Sequence, residues 1–163
     1  SLATLYDGSI DVVVGLGYDH LEELISRYEP NPLIQIYQNV SNISEFMFKA
    51  DIIFTSSSKS IYEICSIGIP TVCLCKDSRE ESHVFVNRNN GFINMGLGEF
   101  IEKQELIDIF INLVNDIELR RDMHEKMKAI DLRFGFENMV AVVEEEYRKF
   151  EFKKNIDNHV GLQ

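Results

Sequence analysis

Four short apolar runs rich in β-branched residues constrain this chain more than any other feature. They are Ile10–Val14, Leu33–Val40, Asp51–Phe54 and Thr71–Cys75, and each runs into a glycine or polar turn. Between them the apolar spacing changes from period two to helical. Leu21, Leu24, Ile25 and Tyr28 form one stripe, and Ile61, Ile64 and Cys65 another. Strands separated by helices imply right-handed crossovers and a parallel sheet with helices on both faces.

Punctuation between the runs agrees with this reading. Asp19, with Glu22 three residues on, is a candidate helix cap, and Pro30 and Pro32 end that helix. Gly68 suits the left-handed turn that closes a helix, and Pro70 leads into the next strand. A helix is predicted over Glu80–Arg88 and a short strand over Phe92–Asn94. Beyond Gly98 the pattern is helical only: Leu106, Phe110 and Leu113; then Leu119, Met123 and Met127 after a cap at Asp116; then Met139, Val143 and Tyr147 after Gly135. Residues 1–150 read as a single α/β domain and 151–163 as a frayed tail where periodicity lapses.

A length of 163 residues suffices for one domain with a sizeable core. Asp7 and Asp11 interrupt the first apolar stretch, so no secretory leader is expected, and no run reaches the roughly 20 apolar residues of a membrane span. The opening Ser-Leu, without methionine, leads us to expect a piece of a longer protein. Sixteen basic against 27 acidic residues give a net charge of -11, which disfavours nucleic acid and anionic membrane as partners. Cys65, Cys73 and Cys75 lie in apolar segments with no metal-like spacing, and read as buried thiols of a cytoplasmic protein.

In open parallel sheets ligands sit beyond the carboxyl ends of the strands, so the loops there are the places to inspect. Gly15-Leu-Gly17-Tyr18 follows the first strand, where a missing Cβ lets backbone amides approach a phosphate. Thr55-Ser56-Ser57-Ser58-Lys59-Ser60 puts five hydroxyls and one ammonium at a strand-to-helix junction. Amides at such a helix start suit a diphosphate, and Glu63, one turn in, could accept hydrogen bonds from two ribose hydroxyls. Ser82 and His83 end a polar loop after the fourth strand, where His83 could meet a sugar or phosphate. His20, His124 and His159 read as helix-surface or tail residues, and Glu144–Glu146 as a surface charge run. No catalytic constellation is complete, and no metal pair or cofactor fingerprint is present.

Gly15-Leu-Gly-Tyr-Asp-His-Leu-Glu-Glu-Leu24, Asn39–Met47, Ala50–Ser58 and Ser60-Ile-Tyr-Glu-Ile-Cys-Ser-Ile-Gly-Ile-Pro70 together resemble the carboxyl-terminal half of the UDP-sugar hydrolase of pseudaminic acid synthesis. More loosely, they resemble the N-acetylglucosaminyltransferase of peptidoglycan synthesis. The loop Arg79–Phe85, with Asn90–Gly98, is similar to a domain appended to some bacterial acylneuraminate cytidylyltransferases. The resemblance implies a Rossmann-like half of a GT-B fold that binds a UDP-sugar as the donor half of a hydrolase or glycosyltransferase of sialic-acid-like surface-sugar synthesis. It further implies that Gly17 and Ser56–Ser58 face the diphosphate, that Glu63 holds the ribose, and that the general base belongs to an amino-terminal domain absent from this chain. The alternative is a non-catalytic accessory domain of a cytidylyltransferase. Serines stand at 56 and 57 where the family commonly has glycines, and Ser82-His83 stands where the hydrolase has Asn-Gln.

Overall fold

A computed structural model describes residues 8–160, with residue 136 and residues 152–160 described by backbone alone. The elements follow the predicted order: β1 (Ile10–Val14), α1 (Leu21–Tyr28), β2 (Ile34–Gln38), α2 (Ile43–Lys49), β3 (Ile53–Thr55), α3 (Ser60–Ile67), β4 (Thr71–Cys75), α4 (Ser78–Glu81), β5 (Phe92–Leu97), α5 (Lys103–Asn115), α6 (Ile117–Lys128) and α7 (Gly135–Val160). Among the described residues all strand pairing is parallel, in two sheets of two and three strands. β1 pairs with β2 from Ile10 opposite Ile34 to Val14 opposite Gln38. β4 lies between β3 and β5, with Ile53 and Phe92 both opposite Thr71.

Period two decides what each strand buries. Phe54, Val72, Leu74, Ile93 and Met95 pack with Ile109 and Leu113 of α5 and Leu119 and Met123 of α6. Of the alternate residues, Phe92 meets Phe85, which in turn meets Tyr62 of α3. Cys65, Cys73 and Cys75 are free and buried, as their apolar settings led us to expect. The Cys65 thiol donates to the Met127 carbonyl at 3.6 Å and that of Cys75 to Asn94 Oδ1 at 3.6 Å.

Helix ends show where local chemistry succeeded and where it failed. Gly68 closes α3 with φ 85°, and Asp116 caps α6 by accepting from the Leu119 amide. Replacing Asp116 with alanine is expected to lower stability by about 1 kcal/mol, read from urea unfolding midpoints. Asp19, by contrast, does not cap α1: His20 occupies that position and makes no side-chain cap bond, although Glu22 and Glu23 do fill the first turn.

The helix predicted over Glu80–Arg88 stops at Glu81, and asparagines are the reason. Asn87 Oδ1 accepts from the amides of Asn89 and Asn90, while Asn87 Nδ2 donates to the Val84 carbonyl. Asn90 Nδ2 donates to Phe85 and Asn94 Nδ2 to Val86. These side chains satisfy the backbone that a helix would otherwise use. β5 is longer than expected because its pairing with β4 resumes at Leu97 after a register shift, with Gly96 at φ 78°.

The end of α3 is held from outside itself. His124 Nδ1 donates to the Gly68 carbonyl at 2.7 Å and Lys128 Nζ to the Ser66 carbonyl at 2.8 Å. His124, expected as a plain surface residue, thus ties α6 to α3 while remaining exposed. Arg120 donates to the carbonyls of Leu113 and Val114 in the last turn of α5.

The chain forms two compact units, one through Ala129 and one from Ile130. In the second, Glu144–Glu146 pair with Arg148 and Lys149, which gives the expected surface charge run its partners. The backbone of α7 is helical to Val160, and the last three residues of the expected frayed tail lie outside the described residues. No helix among the described residues is long and apolar enough to cross a membrane.

Candidate functional site

Helix α3 begins without a side-chain cap, as α1, α2 and α5 also do. α4 and α6 are capped by Asp77 and Asp116, but the residue before α3 is Lys59, which cannot accept a hydrogen bond and makes no side-chain cap. At the positive end of the α3 dipole, the Ile61 and Tyr62 amides donate to the Ser58 and Lys59 carbonyls at 3.3 Å, and no side chain accepts from the first turn. Glu63 adds an exposed carboxylate in that first turn.

The serine run leading into α3 is not uniform. Ser56, Ser58 and Ser60 are half-buried and Lys59 is exposed, whereas Ser57 is only 4% exposed. Ser57 Oγ lies 3.5 Å from His83 Nδ1. The other ring nitrogen of His83, Nε2, lies 3.0 Å from the Tyr62 hydroxyl. The structure thus joins two loops singled out in the sequence, those after β3 and β4, through a histidine bonded on both sides.

Tyr62 was not among the residues singled out from sequence. Its ring stands edge-on to His83 and packs on Phe85 with centroids 4.7 Å apart. The available signal was an aromatic residue off the buried stripe of Ile61, Ile64 and Cys65, one turn from the junction. A phenol cannot stabilise an imidazolium as a buried carboxylate does, so Ser57, His83 and Tyr62 do not make a nucleophilic triad. They can hold and orient one another.

The remaining candidates fall into two groups. Ser82 Oγ donates to the Arg79 carbonyl at 2.7 Å, so its proton is used within the turn that ends α4. Gly15 and Gly17 are exposed, with nothing within 4 Å of where a Cβ would stand. The Tyr18 amide closes the turn on the Gly15 carbonyl at 3.2 Å. Tyr18 also lines a hollow of about 300 Å³ along α1 with His20, Glu23, Leu24, Arg27 and Tyr28. Among the described residues, no hydrogen bond links this glycine turn to the serine loop, and no cluster of His, Cys, Asp and Glu could hold a metal ion.

Known proteins with similar sequences and folds place the architecture. No protein-family model matches the chain. It is 27% identical to an uncharacterized protein of Methanocaldococcus jannaschii, over 71% of this chain and 28% of that protein. It is 22% identical to the spore coat polysaccharide biosynthesis protein SpsG of Bacillus subtilis, over 88% of this chain and 42% of that one. The UDP-N-acetylglucosamine–N-acetylmuramyl-(pentapeptide) pyrophosphoryl-undecaprenol N-acetylglucosamine transferase of Lactococcus lactis is also 22% identical, over 86% and 38%. Among solved structures, Acinetobacter baumannii MurG superposes with TM-score 0.67 at 13% identity, covering 88% of this chain and 44% of that one. Anabaena HepE, solved in complex with UDP-glucose, gives 0.57 at 21% identity, covering 74% and 35%.

The fold is therefore a Rossmann-like half of a GT-B architecture. The chain spans less than half the length of each of these relatives.

Proposed function

We propose that this domain binds a nucleotide-sugar, a UDP-sugar by its likenesses, as the donor half of a sugar-nucleotide hydrolase or glycosyltransferase of bacterial surface-sugar synthesis, the nonulosonic (sialic-acid-like) sugars included. The observation that carries the reading is the uncapped start of α3, flanked by half-buried hydroxyls and by Glu63. Amides at a helix start favour a diphosphate, and a carboxylate one turn deeper suits vicinal ribose hydroxyls. Two likenesses support it: a transferase named for a UDP-sugar, and a fold neighbour solved with UDP-glucose. In this reading Gly15, Gly17 and Tyr18 approach the donor from the β1 side. The base that activates water or acceptor comes from a second, amino-terminal half of the full-length protein, since this domain supplies only groups for the leaving diphosphate.

Titration with UDP in a calorimeter tests the proposal. Heat of binding is expected, and Glu63→Ala should weaken affinity by roughly 1–3 kcal/mol. Gly17→Ala should weaken it too while leaving the unfolding midpoint unchanged, because its Cβ meets nothing in the protein. Serines at 56 and 57, where the resembling family commonly has glycines, favour a second reading, an accessory domain of an acylneuraminate cytidylyltransferase. Folded protein that stays silent to millimolar UDP would select that second reading.

A further inference from the structure

The geometry points to Tyr62 as a positioning residue that, through His83, frees the hydroxyl proton of Ser57 for donation to an anionic ligand oxygen. This inference rests on the nucleotide-sugar reading and adds to it a residue, a direction and a ligand atom class.

A neutral imidazole donates from one nitrogen and accepts at the other, so its two contacts cannot both run the same way. The hydroxyls on either side of His83 can each donate or accept. Two arrangements are therefore open: Tyr62 to His83 to Ser57, or the reverse. The shorter contact decides between them. Tyr62 lies at 3.0 Å and Ser57 at 3.5 Å, so the phenol interaction is the stronger. A phenol is also far more acidic than an aliphatic hydroxyl and is the better donor. The Tyr62 O–H therefore donates to Nε2, the proton of the ring resides on Nδ1, and Nδ1–H points at the Ser57 oxygen.

Ser57 is then an acceptor on its His83 side, and its own proton is left for another partner. At 4% exposure, water competes little for that proton, and a donor in such surroundings acts more strongly on a charged oxygen. The anchor of the chain is a run of ring contacts: the half-exposed ring of Tyr62 packs on Phe85, Phe85 on Phe92, and Phe92 is 1% exposed. A diphosphate oxygen arriving at the start of α3 is the ligand atom this arrangement fits. The serine that stands where the resembling family commonly has glycine thus gains a use as a donor.

Long-range proton–nitrogen NMR on labelled protein reads the tautomer of His83 directly, and calorimetry with UDP and with uridine reads its consequence. The expected result is Nδ1–H in the natural protein and Nε2–H in Tyr62→Phe, which keeps the ring on Phe85. UDP affinity should fall about tenfold in Tyr62→Phe and in Ser57→Ala, with no further loss in the double variant. Uridine, which lacks the diphosphate, should bind all four proteins alike. An Nε2–H tautomer in the natural protein overturns the relay even if UDP binds. Equal losses for uridine and UDP in Tyr62→Phe overturn it as well, since that is a structural defect. Nδ1–H together with silence to UDP instead removes the nucleotide reading, and with it the role given to the Ser57 proton.

Discussion

Gly91→Ala is expected to destabilise the domain by about 2–5 kcal/mol, a large share of the stability of a marginally stable protein. Gly91 sits at φ 84°, a left-handed conformation that costs an L-residue about 1–2 kcal/mol. The larger part is steric. A Cβ there would stand 2.4 Å from the Met123 carbonyl oxygen and 2.9 Å from Met127 Cγ. The methionine side chain can turn away, but the carbonyl belongs to the backbone of α6. The helix would have to move from the β-sheet it packs on, an overpacking cost of roughly 1–3 kcal/mol. Gly96→Ala is the control. Its φ is 78°, but the nearest atom to an added Cβ is Glu81 Oε1 at 3.5 Å, so only the conformational cost of about 1–2 kcal/mol applies. Urea denaturation of the two variants separates strain from collision. Equal midpoints would show that α6 yields and that the close approach at Gly91 is not rigid.

The second large effect is expected at high pH and comes from Cys73. Burial, reinforced by Cys75 and Glu80, pushes this thiol from the ordinary 9.0 up to about 12. The sign follows from which state loses its proton first. Below about pH 9 the thiol is protonated both folded and unfolded, and the folded state suffers no penalty. Between 9 and 12 the unfolded chain ionises and the folded one does not. Stability therefore falls by about 1.4 kcal/mol per pH unit and levels off above 12, for a total of roughly 4 kcal/mol. Cys65 and Cys75 are also raised chiefly by burial and add to the same slope. Denaturation midpoints measured from about pH 8 to about pH 11 should fall steadily in the natural protein and less steeply in Cys73→Ala. Parallel curves for the two proteins would mean that Cys73 ionises in the fold as easily as in the open chain.

Both expectations begin from residues whose type was visible in the sequence and whose effect was not. Gly91 stands in an Asn-Gly pair, which by itself signals no more than a turn; only the packing of α6 makes it intolerant. The cysteines read as buried thiols from their apolar neighbours, and so they are. Where the sequence reading failed, a local competitor had won. Asparagines 87, 90 and 94 took the backbone of the predicted helix after Glu81, and His20 displaced Asp19 at the start of α1. At the candidate site, the serine loop, Glu63 and His83 were legible from their place after parallel strands. Tyr62 was not, because nothing in its own segment records that His83 lies 21 positions away in sequence and one hydrogen bond away in space.

Alone, the order of residues determined the strands, most of the helices, the parallel α/β class and the left-handed close at Gly68. These depend on side-chain periodicity, capping and φ preference, which act over a few neighbouring residues. Tertiary structure alone decided that His124 and Lys128 would hold the end of α3 from 56 and 62 positions away, that Gly91 would lie against Met123, and that Ser57 would turn inward to His83. Apolar spacing specifies that a face is buried but not what it meets. That partner is chosen only when all the buried faces are packed at once.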